Sequence, residues 1–241
     1  AFGGWAACLV LGALLGNTVL GGLFVVGAAI LPGLYVWSVI VGRDRPAGLR
    51  SWAAMTSSLL GVMPLAFLAE VLVILVLIVG VGLRGAGDAQ FAALLQQLSE
   101  QADAAQLDPA LAEGFIADLL ALPGVLNGTL IFLCIITPLI EELAKPLAVW
   151  LLARRIDPRQ GFLFGLLGGL IFAVGENVNT LAVAAGGSGW VALVFGRAGT
   201  SLLHMATAGL VGFGIATAFH KRRPLALLLS YAAAVILNGV W

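Results

Sequence analysis

The stretch PLIEELAKPLAVWLLARR, residues 138–155, places two adjacent glutamates and a lysine inside an otherwise apolar run. No charged residue occurs from 125 to 140, and none occurs between Lys145 and Arg154. In a bilayer each mid-helix carboxylate costs about 2.5–3.5 kcal/mol or more, so such groups are kept for a reason. Glu141 and Lys145 are four apart, and Glu142 and Lys145 three apart, so one lysine can meet both carboxylates along one helix face. Pro138 and Pro146 bracket the set, each removing a backbone donor.

The bilayer reading follows from the whole chain. Of its 241 residues 61% are hydrophobic and 10% charged, with a mean hydropathy of +1.08. A water-soluble domain cannot hide that much apolar surface. Apolar runs of spanning length recur. We read seven spans, at 4–21, 23–42, 52–83, 125–153, 160–184, 190–219 and 225–241, with Gly21-Gly22 as the break between the first two and Pro32 as a kink in the second. The fold class is all-α, a polytopic transmembrane helical bundle forming a single domain over 1–241, with its chemistry in 125–241. Nucleic acid is excluded as a partner, because the basic residues stand in small clusters at span ends. Cys8 and Cys134 lie in apolar runs and read as packing residues without a disulfide. The chain begins at Ala1 rather than Met, so a preceding segment is expected.

Arg43, Arg45, Arg50, Arg154, Arg155, Arg159, Lys221, Arg222 and Arg223 all fall in loops on one side of that arrangement, which marks the cytoplasmic face. The opposite loop, 84–124, holds one arginine and six acidic residues. Within it Phe91, Leu94, Leu95 and Leu98, then Leu111, Phe115, Leu119 and Leu122, recur at helical spacing, the second run starting after Asp108-Pro109. These are two amphipathic helices covering the outer face.

Three further polar sets lie within spans: Glu176 and Asn177 with Asn179 and Thr180; Arg197 and His204, seven apart, with Thr200 and Ser201 near their face; and Asn238. Glu142 stands twelve residues from Arg154, about 18 Å along a helix, and Glu176 and His204 about 24 Å from their cytoplasmic ends. They therefore fall at a similar depth on three successive helices. Glu70, alone in its span, reads as structural, and Lys145 or Arg197 can neutralise a glutamate. Amide hydrolysis needs a base for water, a donor for the oxyanion and an acid for the leaving amine. Two glutamates and a histidine can supply these directly. Glu142, Glu176 and His204 can equally hold zinc and a zinc-bound water. Spacing alone leaves both open.

EELAK (141–145), FAVGEN (172–177) and RAGTSLLHMATAG (197–209) resemble, in order and spacing, the motifs of the PrsW family of intramembrane proteases, relatives of the CAAX prenyl protease and bacteriocin-processing proteins. GRDRP after an early span is similar too. The resemblance implies cleavage of single-span membrane proteins, such as anti-sigma factors, in regulated proteolysis. It carries over Glu141, Glu142, Glu176 and His204 as catalytic, with Lys145, Asn177, Arg197 and Asn238 as supports. The expected partners are a transmembrane substrate, the lipid bilayer and fellow subunits of a membrane complex. One position departs: where the family has His four residues before Asn, this chain has Ala234 and keeps Asn238. That motivates a second reading, an inactive subunit or scaffold. A third is a proton- or ion-coupled carrier, which intramembrane carboxylates also serve.

Overall fold

The computed structural model describes residues 2–15, 19–43, 61–85, 93, 96, 97, 99, 100, 125–184 and 190–241. Every regular element among them is helical. In chain order these are α1 (Phe2–Leu15), α2 (Val19–Arg43), α3 (Met63–Gly85), α4 (Val125–Ile131), a π-helical turn (Phe132–Ile136), α5 (Thr137–Ala144), α6 (Leu147–Leu152), α7 (Pro158–Ala184), α8 (Trp190–His220) and α9 (Pro224–Val240). Helices are required because a backbone in hydrocarbon must satisfy its own hydrogen bonds.

Among the described residues four stretches are long and apolar enough to cross a membrane: Leu20–Ile40, Leu126–Ala144, Pro158–Val178 and Trp190–His220. Gly3–Leu15, Pro64–Val73 and Pro224–Val240 are shorter apolar helices. Two sequence expectations change. Gly21 and Gly22 lie inside α2 rather than at a break. The fourth span is not continuous over 125–153 but ends at Ala144, turns at Lys145-Pro146 and resumes as α6. Pro146 lacks the N–H that would continue the ladder. The outer loop and its two amphipathic helices fall almost wholly outside the described residues, as do Arg45 and Arg50.

The chain divides into two compact units. The smaller, Leu68–Thr137, holds the later part of α3, α4 and the π-helical turn; Glu70 is half-buried there. The larger comprises Ala1–Phe67 and Pro138–Trp241. At its centre α7 and α8 run antiparallel, flanked by α2 and by α6, with α9 against α8 and α1 against α2. The Trp5 indole of α1 donates to the Ala28 carbonyl of α2 at 2.9 Å.

Glycines set the α7–α8 spacing. Gly161, Gly165 and Gly169 recur every four residues on α7, and a Cβ on any of them would fall on the backbone of α8: Gly212, Ala208 and His204 respectively. Small residues at this period let two membrane helices approach to backbone contact. Register along that seam fixes where His204 stands. Gly169→Ala is therefore expected to force the helices apart, destabilising by about 1–3 kcal/mol and slowing any reaction that uses His204. Gly196 on α8 has nothing within 4 Å, so Gly196→Ala serves as the control in paired thermal unfolding, and an equal response from both variants would refute the seam's role.

Polarity is arranged inside out. On α9 the buried stripe is Ser230, Ala234 and half-buried Asn238, four apart, while Leu225, Leu228, Leu229, Ile236 and Leu237 are exposed. An apolar rim around a polar interior suits lipid and not water. The basic turns 153–157 and 221–223 lie at one end, where Asp157, Pro158 and Arg159 meet His220 and Lys221 around an open surface cleft.

Candidate active site

Glu141 and Glu142 sit on the last turn of α5, and Lys145 immediately after it. The Lys145 amide still donates to the Glu141 carbonyl at 2.8 Å, so the lysine keeps helical register with both glutamates before Pro146 breaks the helix. The Leu143 carbonyl, left without its usual partner, accepts the Trp150 indole at 3.0 Å. The result is a rigid corner carrying three ionisable groups.

The Lys145 ammonium donates to Glu141 Oε2 at 2.8 Å and to Glu142 Oε1 at 2.7 Å. Its third N–H meets His204 Nδ1 of α8 at 2.8 Å. Glu142, Lys145 and His204 are all but fully buried, and Glu141 nearly so. An ammonium can only donate, so Nδ1 carries the lone pair and the imidazole proton sits on Nε2. Nε2 in turn faces Glu176 Oε2 of α7 at 2.8 Å. Phe172 stands edge-on to the His204 ring at 5.2 Å between centroids, and its face lies 4.8 Å from the Lys145 nitrogen. That position suits a cation–π contact.

Asn238 of α9 closes the inner side. Its amide donates to Glu141 Oε2 at 2.9 Å and to Glu142 Oε1 at 3.0 Å. Thr207, one turn beyond His204, donates to Glu142 Oε1 at 3.0 Å. Glu142 Oε1 thus accepts three hydrogen bonds, whereas Glu142 Oε2 is buried and has no protein partner. Buried carboxylate oxygens are rarely left so.

On the outer side Arg197 donates to Glu176 Oε2 at 2.8 Å and to the side-chain Oδ1 of Asn177 at 2.7 Å. Asn177 donates to Ser201 at 2.9 Å. The Glu176 side chain retains 31% of its exposure, while Glu142 has none. The site therefore has a sealed inner half and a half-open outer half, joined by the two nitrogens of one imidazole.

All eight residues named from the sequence lie in this one network. The expected metal set of Glu142, Glu176 and His204 is not the one the fold assembles. Donor atoms of Glu141, Glu142 and His204 lie within 4.8 Å of one another and form a group that could hold a metal ion, while Glu176 stands across the ring. Thr200 turns elsewhere, accepting the Trp241 indole at 2.8 Å. The side chains of Asn179 and Thr180 lie outside the described residues. Neither Thr207 nor Phe172 had a site role assigned from the sequence. Thr207 had a signal, since its three-residue offset from His204 puts it on the same face. Phe172 had one too, as the first residue of FAVGEN, but a motif position does not say that the ring stands beside Lys145 and His204. Ala234 is fully buried in an apolar cluster with Val149, Phe164 and Ile215, one turn from Asn238.

Residues 62–241 match the family model described as PrsW family intramembrane metalloprotease. Comparison with curated proteins and with solved structures returns no match.

Proposed function

The chain belongs to the PrsW family of intramembrane proteases, a membrane-embedded peptidase family, and from that premise we propose that it hydrolyses a peptide bond of single-span membrane proteins with Glu142 as the base. The observation that carries this is the unpartnered, buried Glu142 Oε2. A water bound there would meet a buried carboxylate oxygen that has no protein partner. Lys145, Thr207 and Asn238 hold the other oxygen, so the carboxylate cannot turn away.

In the proposed reaction Oε2 takes a proton from that water as its oxygen attacks the peptide carbonyl. Arg197, partly exposed beside Glu176, and the His204 Nε2–H, once it leaves Glu176, are the donors on the half-open side that would serve the oxyanion. Glu176 and Arg197 keep the ring in that tautomer. The proton on Glu142 then passes to the leaving nitrogen as the C–N bond breaks. The basic turns at one end support a cytoplasmic orientation for that end, and the substrate class proposed is anti-sigma-factor-like single-span proteins.

The family description implies a metal ion. Glu141, Glu142 and His204 supply suitable donor types, but their common centre is taken by the Lys145 ammonium, so the residues do not fit an ion as they stand. No step above passes through one.

The test is reconstitution of the full chain in lipid vesicles with a panel of tagged single-span proteins, the products being mapped by mass spectrometry. Cleavage within or beside the membrane segment is expected. A folded chain that processes none of them would leave the scaffold reading, to which Ala234 first pointed.

A further inference from the structure

We propose that Lys145 is a built-in cation standing where a divalent ion would bind, so that this chain excludes metal and acquires a metal site only when the lysine is removed. Zinc requires oxygen and nitrogen donors at about 2.0–2.2 Å around one point. Here that point holds Nζ, with Glu141 Oε2, Glu142 Oε1 and His204 Nδ1 at 2.7–2.8 Å. All three ammonium protons are used, and the Phe172 face covers another side.

The surroundings repeat what metal ligands usually have behind them. A ligating histidine commonly gives its other N–H to a carboxylate, and ligating carboxylates are themselves hydrogen-bonded. His204 faces Glu176 through Nε2, and Asn238 and Thr207 bond the two glutamates. The pocket therefore has both tiers of a metal site with an ammonium as its ion. The lysine cannot readily leave: it has no exposure, and it sits three and four residues from its carboxylate partners on a proline-locked corner. Removing it would leave two carboxylates and an imidazole around an empty centre, a donor set suited to Zn²⁺ or Co²⁺.

This inference takes its catalytic meaning from the proposed function but is measured without substrate, so the two fail separately. The full chain in detergent is exposed to Co²⁺ or Zn²⁺, desalted and assayed for bound metal by elemental analysis and cobalt absorption. The wild type should retain no stoichiometric metal. Lys145→Ala, produced with Zn²⁺ present throughout so that folding does not depend on an empty pocket, should retain about one ion per chain with the intense visible bands of tetrahedral cobalt after exchange. Lys145→Ala/Glu142→Gln should lose both. Stoichiometric metal in the wild type that disappears in Glu142→Gln would overturn the proposal, whatever the Lys145 variants do. So would a helical, monodisperse Lys145→Ala that takes up no metal.

Discussion

A Glu142→Gln chain is expected to keep the wild-type melting temperature and to cleave its substrate about 10²–10⁴-fold more slowly, the range attributed to a positioned acid–base group. In free energy that is about 2.7–5.5 kcal/mol of barrier. The fold survives because glutamine retains a carbonyl oxygen at the Oε1 position, where Lys145, Thr207 and Asn238 all donate. Its NH₂ falls at the Oε2 position, where no protein group is lost as a partner. One carboxylate still neutralises Lys145 through Glu141. The chemistry fails because an amide cannot accept the proton of water. Single-turnover cleavage by both chains in the same lipid is the measurement, and a variant within threefold of wild type would remove Glu142 from the role of base.

Lys145→Met should act in the opposite sense, on the fold first. The methionine roughly fills the space, but Glu141 and Glu142 are left buried with no cation between them. Breaking a buried pair from one side costs about 3–5 kcal/mol. For a chain of this length that lowers the melting temperature by about 6–20 °C, at about 2–4 °C per kcal/mol. Glu141→Gln in the same chain should recover part of the loss, because it removes one of the two stranded charges while keeping the hydrogen bond from Asn238 in reach. The comparison is thermal unfolding of the two single variants and the double variant at one detergent concentration. If Lys145→Met melts with the wild type, the ammonium is not what holds the corner together.

The apolar periods that mark α2, α7, α8 and α9 are local properties, and the structure places helices close to where those periods fall. The Glu141–Glu142–Lys145 contacts were legible for the same reason, since offsets of three and four share one helix face. The interruption at Lys145-Pro146 was only half legible: Pro146 announces a lost donor, but whether a helix kinks or breaks there depends on tertiary partners such as the Trp150 indole, which donates to the Leu143 carbonyl. The Gly21-Gly22 pair misled because glycine in a membrane helix serves packing as readily as it serves a turn.

What the sequence determined by itself is an all-helical membrane chain, the family it belongs to, and the eight polar side chains gathered in its interior. These are compositional and short-range facts, written in residue type and spacing. What only the tertiary structure decided is how those side chains divide the work. The lysine carried over as a support occupies the centre of the donor set, His204 turns Nδ1 to it and Nε2 to Glu176, and one buried oxygen of Glu142 is left without a protein partner. The two ring contacts join positions 59 and 28 residues apart. The site's contacts depend on the sliding register of α7 against α8 and of α9 against both glutamates. That register is set where backbones meet at Gly161, Gly165 and Gly169, a condition of three-dimensional fit that no spacing along a single helix encodes.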